Sequence, residues 1–128
     1  MRKRIIAVLI TISLMSVPAK ADCNEFFKDN GFQQIKTTAY CCGEITANGS
    51  KVHYGGCASS AEHMGDIAIL YTIDGEYIGQ FEVNDAGGTD AIRNGWVIDV
   101  YHSTLEECQA YMEKTRGKVF VKYIHGVG

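Results

Sequence analysis

The chain has 128 residues but a single proline, Pro18, which lies close to the N-terminus. Nothing further along can therefore be a proline-rich linker between domains. No internal repeat and no low-complexity tract is present, which excludes a solenoid of stacked units. Positive charge is also scarce. Arg2, Lys3, Arg4 and Lys20 account for four of the 12 basic residues, and residues 1–21 hold none of the 15 acidic ones. Residues 22–128 then carry eight basic against fifteen acidic side chains, a net charge of −7. So acidic a stretch lacks the clustered Lys and Arg that phosphate contacts need, and a nucleic-acid partner is excluded.

Long apolar runs are missing too. The longest, "IIAVLITISLMSV", is too short for a comfortable membrane span. It follows basic "MRKR" and precedes "PAKA", where Ala19 and Ala21 stand at an A-x-A spacing. The three parts together read as a secretory signal over 1–21, cut after Ala21, followed by one domain over 22–128. Cys23 is one residue too late to be a lipid-anchoring cysteine. The expectation is an exported protein, periplasmic or extracellular, without a stable membrane anchor.

What the chain does hold is cysteine. Cys23, Cys41, Cys42, Cys57 and Cys108 all fall in 22–128. In an exported domain they predict one or two disulfides, with Cys57 or Cys108 joined to the Cys23/Cys41/Cys42 set. His53, Cys57 and His63 match none of the tight ligand pairs of zinc sites, so neither a metal nor any other cofactor is expected.

Periodicity predicts a mainly β chain. "DCNEFFKDNG" (22–31) reads as a short helix capped by Asp22 and stopped near Gly31. Strands are predicted at Gln34–Tyr40, Lys51–Tyr54, Ile67–Thr72, Tyr77–Val83, Trp96–Tyr101 and Lys118–Ile124. "DG" at 74–75 predicts a tight hairpin. Ser103 and Glu106 fit a capping box, and Leu105, Cys108, Tyr111, Met112 and Thr115 follow at helical spacing until Gly117. Cys108 should therefore point inward. Six short strands and one capped helix before the last of them predict a small barrel.

Two aspartates stand out against this background. Asp85 sits in "NDAGGTD" (84–90), on a corner containing Gly87 and Gly88. Asp99 lies between Ile98 and Val100, where a buried carboxylate needs a partner or a purpose. Taken singly, Asp85 reads equally as a turn residue, and Asp99 as a strand aspartate bonded to backbone, Lys118 or Lys122. Asp90 reads as a solvated carboxylate near Arg93.

"TTAYCCGEITANG" (37–49), "MGDIAILYT" (64–72), "FEVNDAGG" (81–88), "GWVIDVY" (95–101) and "KVFVKYI" (118–124) together resemble the three-aspartate (3D) domain family. That family includes membrane-bound lytic transglycosylase A and stationary-phase muralytic proteins. The resemblance spans about Thr37 to Ile124 and implies a six-stranded double-psi β-barrel that cleaves peptidoglycan glycan strands. Asp85 matches the aspartate of the family's D-T-G-G, with Ala86 replacing its threonine, and is the implied acid. Asp99 matches the aspartate of I-D-I-Y. Thr38, Tyr40 and Thr46 match the front motif and would line the glycan groove. The family's first aspartate has no counterpart, since Ala58 or Ser59 falls at its place and His63 replaces a following proline. Asp66 aligns after that turn.

The chemistry implied needs one carboxyl acting first as acid toward the glycosidic oxygen, then as base toward the muramyl 6-hydroxyl. Asp99 would raise the proton affinity of Asp85 and stabilise the oxocarbenium ion. Gly87 and Gly88 would let the sugar approach the backbone closely. The main alternative is a non-catalytic, expansin-like barrel that binds cell-wall glycan. A dimeric aspartic protease would want Thr or Ser where Ala86 stands. A thiol enzyme built on Cys57 with His53 or His63 fits an oxidising compartment poorly. Whether the chain works alone or within a larger envelope machine stays open at this point.

Overall fold

The computed structural model describes residues 20–41 and 55–125, which fold as α1 (Lys20–Asp29), β1 (Gln33–Tyr40), β2 (Gly56–Ser59), a 3-10 turn (Ala61–His63), β3 (Ile67–Thr72), β4 (Tyr77–Ala86), α2 (Asp90–Arg93), β5 (Val97–Tyr101), α3 (Leu105–Thr115) and β6 (Lys118–Ile124). The predicted signal segment through residue 19, the predicted strand Lys51–Tyr54, and Cys42, Thr46 and His53 lie outside the described residues.

The six strands close into a barrel in the order β1, β5, β2, β4, β3, β6 and back to β1. The β1–β5 and β2–β4 pairs are parallel, and the other four are antiparallel. The small six-stranded, mainly β barrel expected from the strand count is what forms, with α3 leading into its last strand. Exchanging β1, β2, β3 for β4, β5, β6 leaves both the neighbour order and the parallel pairs unchanged. The barrel thus consists of two like halves whose strands interleave, every pair joining one half to the other, and the β2–β5 pair is a seam that the exchange leaves in place.

Strand alternation fills the interior. Ile98 and Val100 of β5, Ala68 and Leu70 of β3, and Val119 and Val121 of β6 point inward and are fully buried, with Cys57 and Val83 beside them. Each of the buried Val, Leu and Ile side chains contributes roughly 1.5–3 kcal/mol on burial. Phe120, between two inward valines, is buried on the outer face instead. There it stacks on Phe27 of α1 at 4.6 Å, with Phe32 and Tyr71 packed around the pair.

α3 covers the barrel through Tyr111, whose hydroxyl shares a 2.7 Å hydrogen bond with that of Thr37. Thr37 in turn donates to the Ile98 carbonyl at 3.0 Å. The cap of α3 lies one residue later than expected. Thr104 is the N-cap, accepting from the Glu107 backbone N–H at 3.1 Å, while the Glu107 carboxylate accepts from the Ser103 N–H. The shift moves Leu105 to the exposed first position of the helix. α1 starts at Lys20, so Asp22 lies inside its first turn and is not its cap.

Strand β2 was not visible in the sequence, because "GCAS" is short and lacks β-branched or aromatic residues. β4 is longer than expected and contains a bulge: Cys57 pairs with Val83, but Ala58 pairs with Asp85. Asn84 is the extra residue and is buried. Gly56 makes room for it, since a Cβ there would lie 2.6 Å from Asn84 Nδ2. The bulge decides the site. With strict alternation Asp85 would share the inward face of Val83, and the extra residue turns it outward.

The disulfide expectation is corrected. Cys57 and Cys108 are both buried free thiols, and no disulfide joins any two of the described cysteines. Cys57 faces the apolar interior among Val83, Ile98 and Val100, and Cys23, on α1, packs with Phe27 and Phe120 in the outer cluster. The fold keeps the two in separate cores.

Candidate functional site

The bulge and the seam bring four residues into one row on the outer wall. Thr38 of β1 pairs with Asp99 of β5, Asp99 with Ala58 of β2, and Ala58 with Asp85 of β4. Residues in register share a face, so the two carboxylates flank the Ala58 methyl. The two sequence-predicted acids are thereby brought together, although they lie on non-adjacent strands. Ala58 stands between them.

Asp99 takes a hydrogen bond from the Thr38 hydroxyl at 2.8 Å. Lys122, considered as its partner, instead donates to the Asn30 carbonyl. Burial raises the Asp99 pKa above the usual carboxylate value, and the charge of Asp85 adds to the rise. The Thr38 bond and His102 pull in the other direction. Asp85 Oδ1 accepts from the Ala86 backbone N–H at 2.9 Å.

Two elements frame the row. Past Asp85, Gly87 and Gly88 both adopt positive φ (83° and 94°), which turns the chain away from β4 at a place where a side chain would strain it. Thr89 then caps α2, Asp90 pairs with Arg93, and the turn lies against β2 and β5 with Ile92 buried. On the other side, Tyr40 pairs with Tyr101, their rings meeting edge-on at 5.5 Å. The Tyr40 pKa is raised by burial and by the charges of Asp85 and then Asp99, so the phenol stays neutral. Of the expected site residues, Thr38, Tyr40, Asp85, Asp99, Gly87 and Gly88 are gathered here.

Cys57 lies beneath this wall, fully buried. Burial pushes its thiol pKa up, and Asp99 and Glu82 push it further. A thiol so hard to ionise is a poor nucleophile, which removes the support for a cysteine enzyme at this position.

A second polar cluster escaped the sequence reading. Asp66, just before β3, is buried, and its two oxygens bond His63 Nδ1 at 3.1 Å and His125 Nδ1 at 2.9 Å. His63 stacks on Tyr123 at 3.6 Å, and the Tyr123 hydroxyl bonds that of Ser59 at 2.8 Å. Burial alone would raise the Asp66 pKa; the two histidines outweigh it, and the pKa is lowered. The i, i+3 spacing of His63 and Asp66 was legible, but His125 is brought in only by the β3–β6 pairing. Among the described residues, no group of three or more His, Cys, Asp or Glu is placed to hold a metal ion. Nor is any described helix long and apolar enough to cross a membrane.

Fold and site together define a small closed barrel with a coupled carboxylate pair on its outer wall. No protein-family profile matches the chain, and no curated protein matches it in sequence.

Proposed function

We propose that the protein is an exported peptidoglycan-cleaving enzyme of lytic transglycosylase type, cutting the MurNAc–GlcNAc glycosidic bond with Asp85 as acid/base. The observation that carries this reading is the register of Asp85 and Asp99 on either side of Ala58. Only Ala58 stands between the two in register, and the charge of Asp85 disfavours ionisation of Asp99. Burial and then the charge of Asp85 raise the Asp99 pKa, so the pair takes up a proton more readily than two isolated carboxyls would. Asp85, at the glycine corner that a sugar can approach, delivers that proton to the glycosidic oxygen as the bond to the muramyl anomeric carbon breaks. The charge left on the pair stabilises the oxocarbenium ion. Asp85 then takes the proton of the muramyl 6-hydroxyl as that oxygen closes on the anomeric carbon, and the acid is restored. The substrate is the glycan strand itself, and no cofactor enters the reaction.

Ala58 favours a second reading. The resemblance calls for a carboxylate at Ala58 or Ser59, neither of which is an acid, and a barrel that lacks one acid can keep its groove and bind cell-wall glycan without cutting it.

One experiment separates the two. Asp85→Asn should abolish release of anhydromuropeptides from purified peptidoglycan, while sacculus binding and melting temperature stay nearly unchanged. Wild type that binds sacculi and releases nothing, with Asp85→Asn and Asp99→Asn binding equally well, establishes the binding barrel. An Asp85→Asn variant that melts much earlier makes Asp85 a turn residue. Export is checked on the same material, whose intact mass should correspond to a chain beginning at Asp22.

A further inference from the structure

Charge on the strands is sorted by side of the barrel. β4 and β5 carry only acids (Glu82, Asp85 and Asp99), β1 and β6 only lysines (Lys36, Lys118 and Lys122), and β2 and β3 no charge. β1 and β6 are neighbours and lie across the barrel from β2 and β4. Within that pair Lys36 and Lys118 stand in direct register. Both are exposed on the outer face, since Thr37 and Val119 beside them point inward. Like charges directly opposite one another destabilise a sheet. Lys114 and Arg116, just before Lys118, are relieved by Glu76 and Asp74. Lys36 and Lys118 have no ion pair with any described residue.

Trp96, the one tryptophan of the chain, adjoins the pair. Its N–H donates to the Ala91 carbonyl at 2.9 Å, and its carbonyl accepts from the Lys36 N–H at 3.2 Å. The residue is thus held through its backbone on both sides, yet it is 63% exposed. Tryptophan is among the residue types most enriched at binding hot spots.

We propose that Lys36, Lys118 and Trp96 form a docking surface for an acidic segment of another protein. The two ammonium groups take carboxylates of the segment, and the indole takes an apolar side chain beside them. Charge complementarity selects this partner. A short segment along β1 and β6 meets only lysines on the strands. A membrane or a long polyanion would spread onto a domain whose net charge over 22–128 is −7. Phosphate is best read by arginine, and both described arginines are already held by aspartates. The surface is separate from Asp85 and Asp99, so the inference holds whether or not the barrel cuts glycan.

Tryptophan fluorescence reads this surface alone. Titrating the purified protein with a synthetic peptide of glutamate and leucine should shift that fluorescence saturably, and the same peptide with glutamine for glutamate should not. Lys36→Gln/Lys118→Gln should weaken binding about tenfold, the loss of two exposed ion pairs together. Lys36→Arg/Lys118→Arg keeps both charges and should bind as wild type does. The glutamine variant should melt at the wild-type temperature or slightly above it, since a repulsion is removed. Its glycan turnover and sacculus binding should equal those of wild type. An unshifted fluorescence overturns the inference, as does equal binding of the two peptides or undiminished binding by the glutamine variant. A shift with phosphatidylglycerol vesicles and none with the peptide makes the surface a membrane contact and overturns it too. A glutamine variant that melts several degrees lower assigns the lysines to the fold. One that loses glycan turnover or binding assigns them to the glycan site, and either result overturns their role in docking.

Discussion

The two halves of the barrel follow one plan and carry different chemistry at equivalent places. Exchanging β1–β3 for β4–β6 carries Thr38 onto Asp85 and Ala58 onto Asp99, so the four-residue row maps onto itself. The first half supplies a hydroxyl and a methyl, the second two carboxylates. The only buried carboxylate of the first half among the described residues is Asp66, and it is bonded to two histidines that lower its pKa. The Asp99 pKa is raised, by burial first and then by the like charge beside it. One half neutralises its buried acid and the other keeps a pair under tension. Negative charge can gather on the wall because what faces it from the first half is small and neutral.

The sharpest way to break this difference is Ala58→Asp. It would place a third carboxylate between Asp85 and Asp99 at a buried position. An uncompensated buried charge is strongly destabilising, about 3–5 kcal/mol. Urea unfolding at pH 7 should show that loss, and at pH 4 the loss should shrink as the carboxyls take up protons. An equally large loss at both pH values would mean that the crowding is steric.

Gly56→Ala tests the bulge that turns the second half's acid outward. The added Cβ meets Asn84 Nδ2 at 2.6 Å, so the bulge must shift or the strands must part. Overpacking of this kind typically costs about 1–3 kcal/mol. Because Asp85 follows Asn84, glycan turnover should fall along with stability. A variant that is destabilised but fully active would separate the bulge from the site.

The smallest effect is a contrast in pH dependence. The Asp66 pKa is lowered in the fold, so its contribution to stability is present above the ordinary carboxylate value of about 3.9 and is lost as pH falls through the folded value. The Asp99 pKa is raised, so its contribution is present below about 3.9 and is lost as pH rises through its folded value. Asp66→Asn should therefore lower the melting temperature by a few degrees at pH 7 and by little near pH 3. Asp99→Asn should gain on wild type as pH rises from 4 to 7. Parallel curves for the two variants would erase the distinction between the halves.

How far the site could be read in advance depended on the range of the forces involved. The alternation around Ile98, Asp99 and Val100 was enough to set Asp99 apart from a core strand, since side-chain direction in a strand is local. Positive φ at Gly87 and Gly88 was likewise implicit in "NDAGG", because only glycine takes that conformation without strain. The hairpin at Asp74–Gly75 is there: Gly75 has φ of 95° and links β3 to β4. The α3 cap was misread by one residue, as two hydroxyls and two glutamates in "STLEE" satisfy the same rule.

Other features had no local signal at all. β2 is a strand because β4 and β5 lie on either side of it to bond its backbone, and "GCAS" contains nothing that would make it one alone. Cys57 and Cys23 were expected to be candidates for disulfide bonding, but which core a cysteine enters is decided by packing. The bulge at Asn84 works the same way, since its room comes from Gly56 on another strand. By itself the sequence determined a small mainly β domain with two aspartates in unusual settings, because hydrophobic period and glycine conformation are properties of neighbouring residues. Only the tertiary structure decided that those aspartates stand either side of one alanine, because register across a closed barrel is set by strands far apart in the chain.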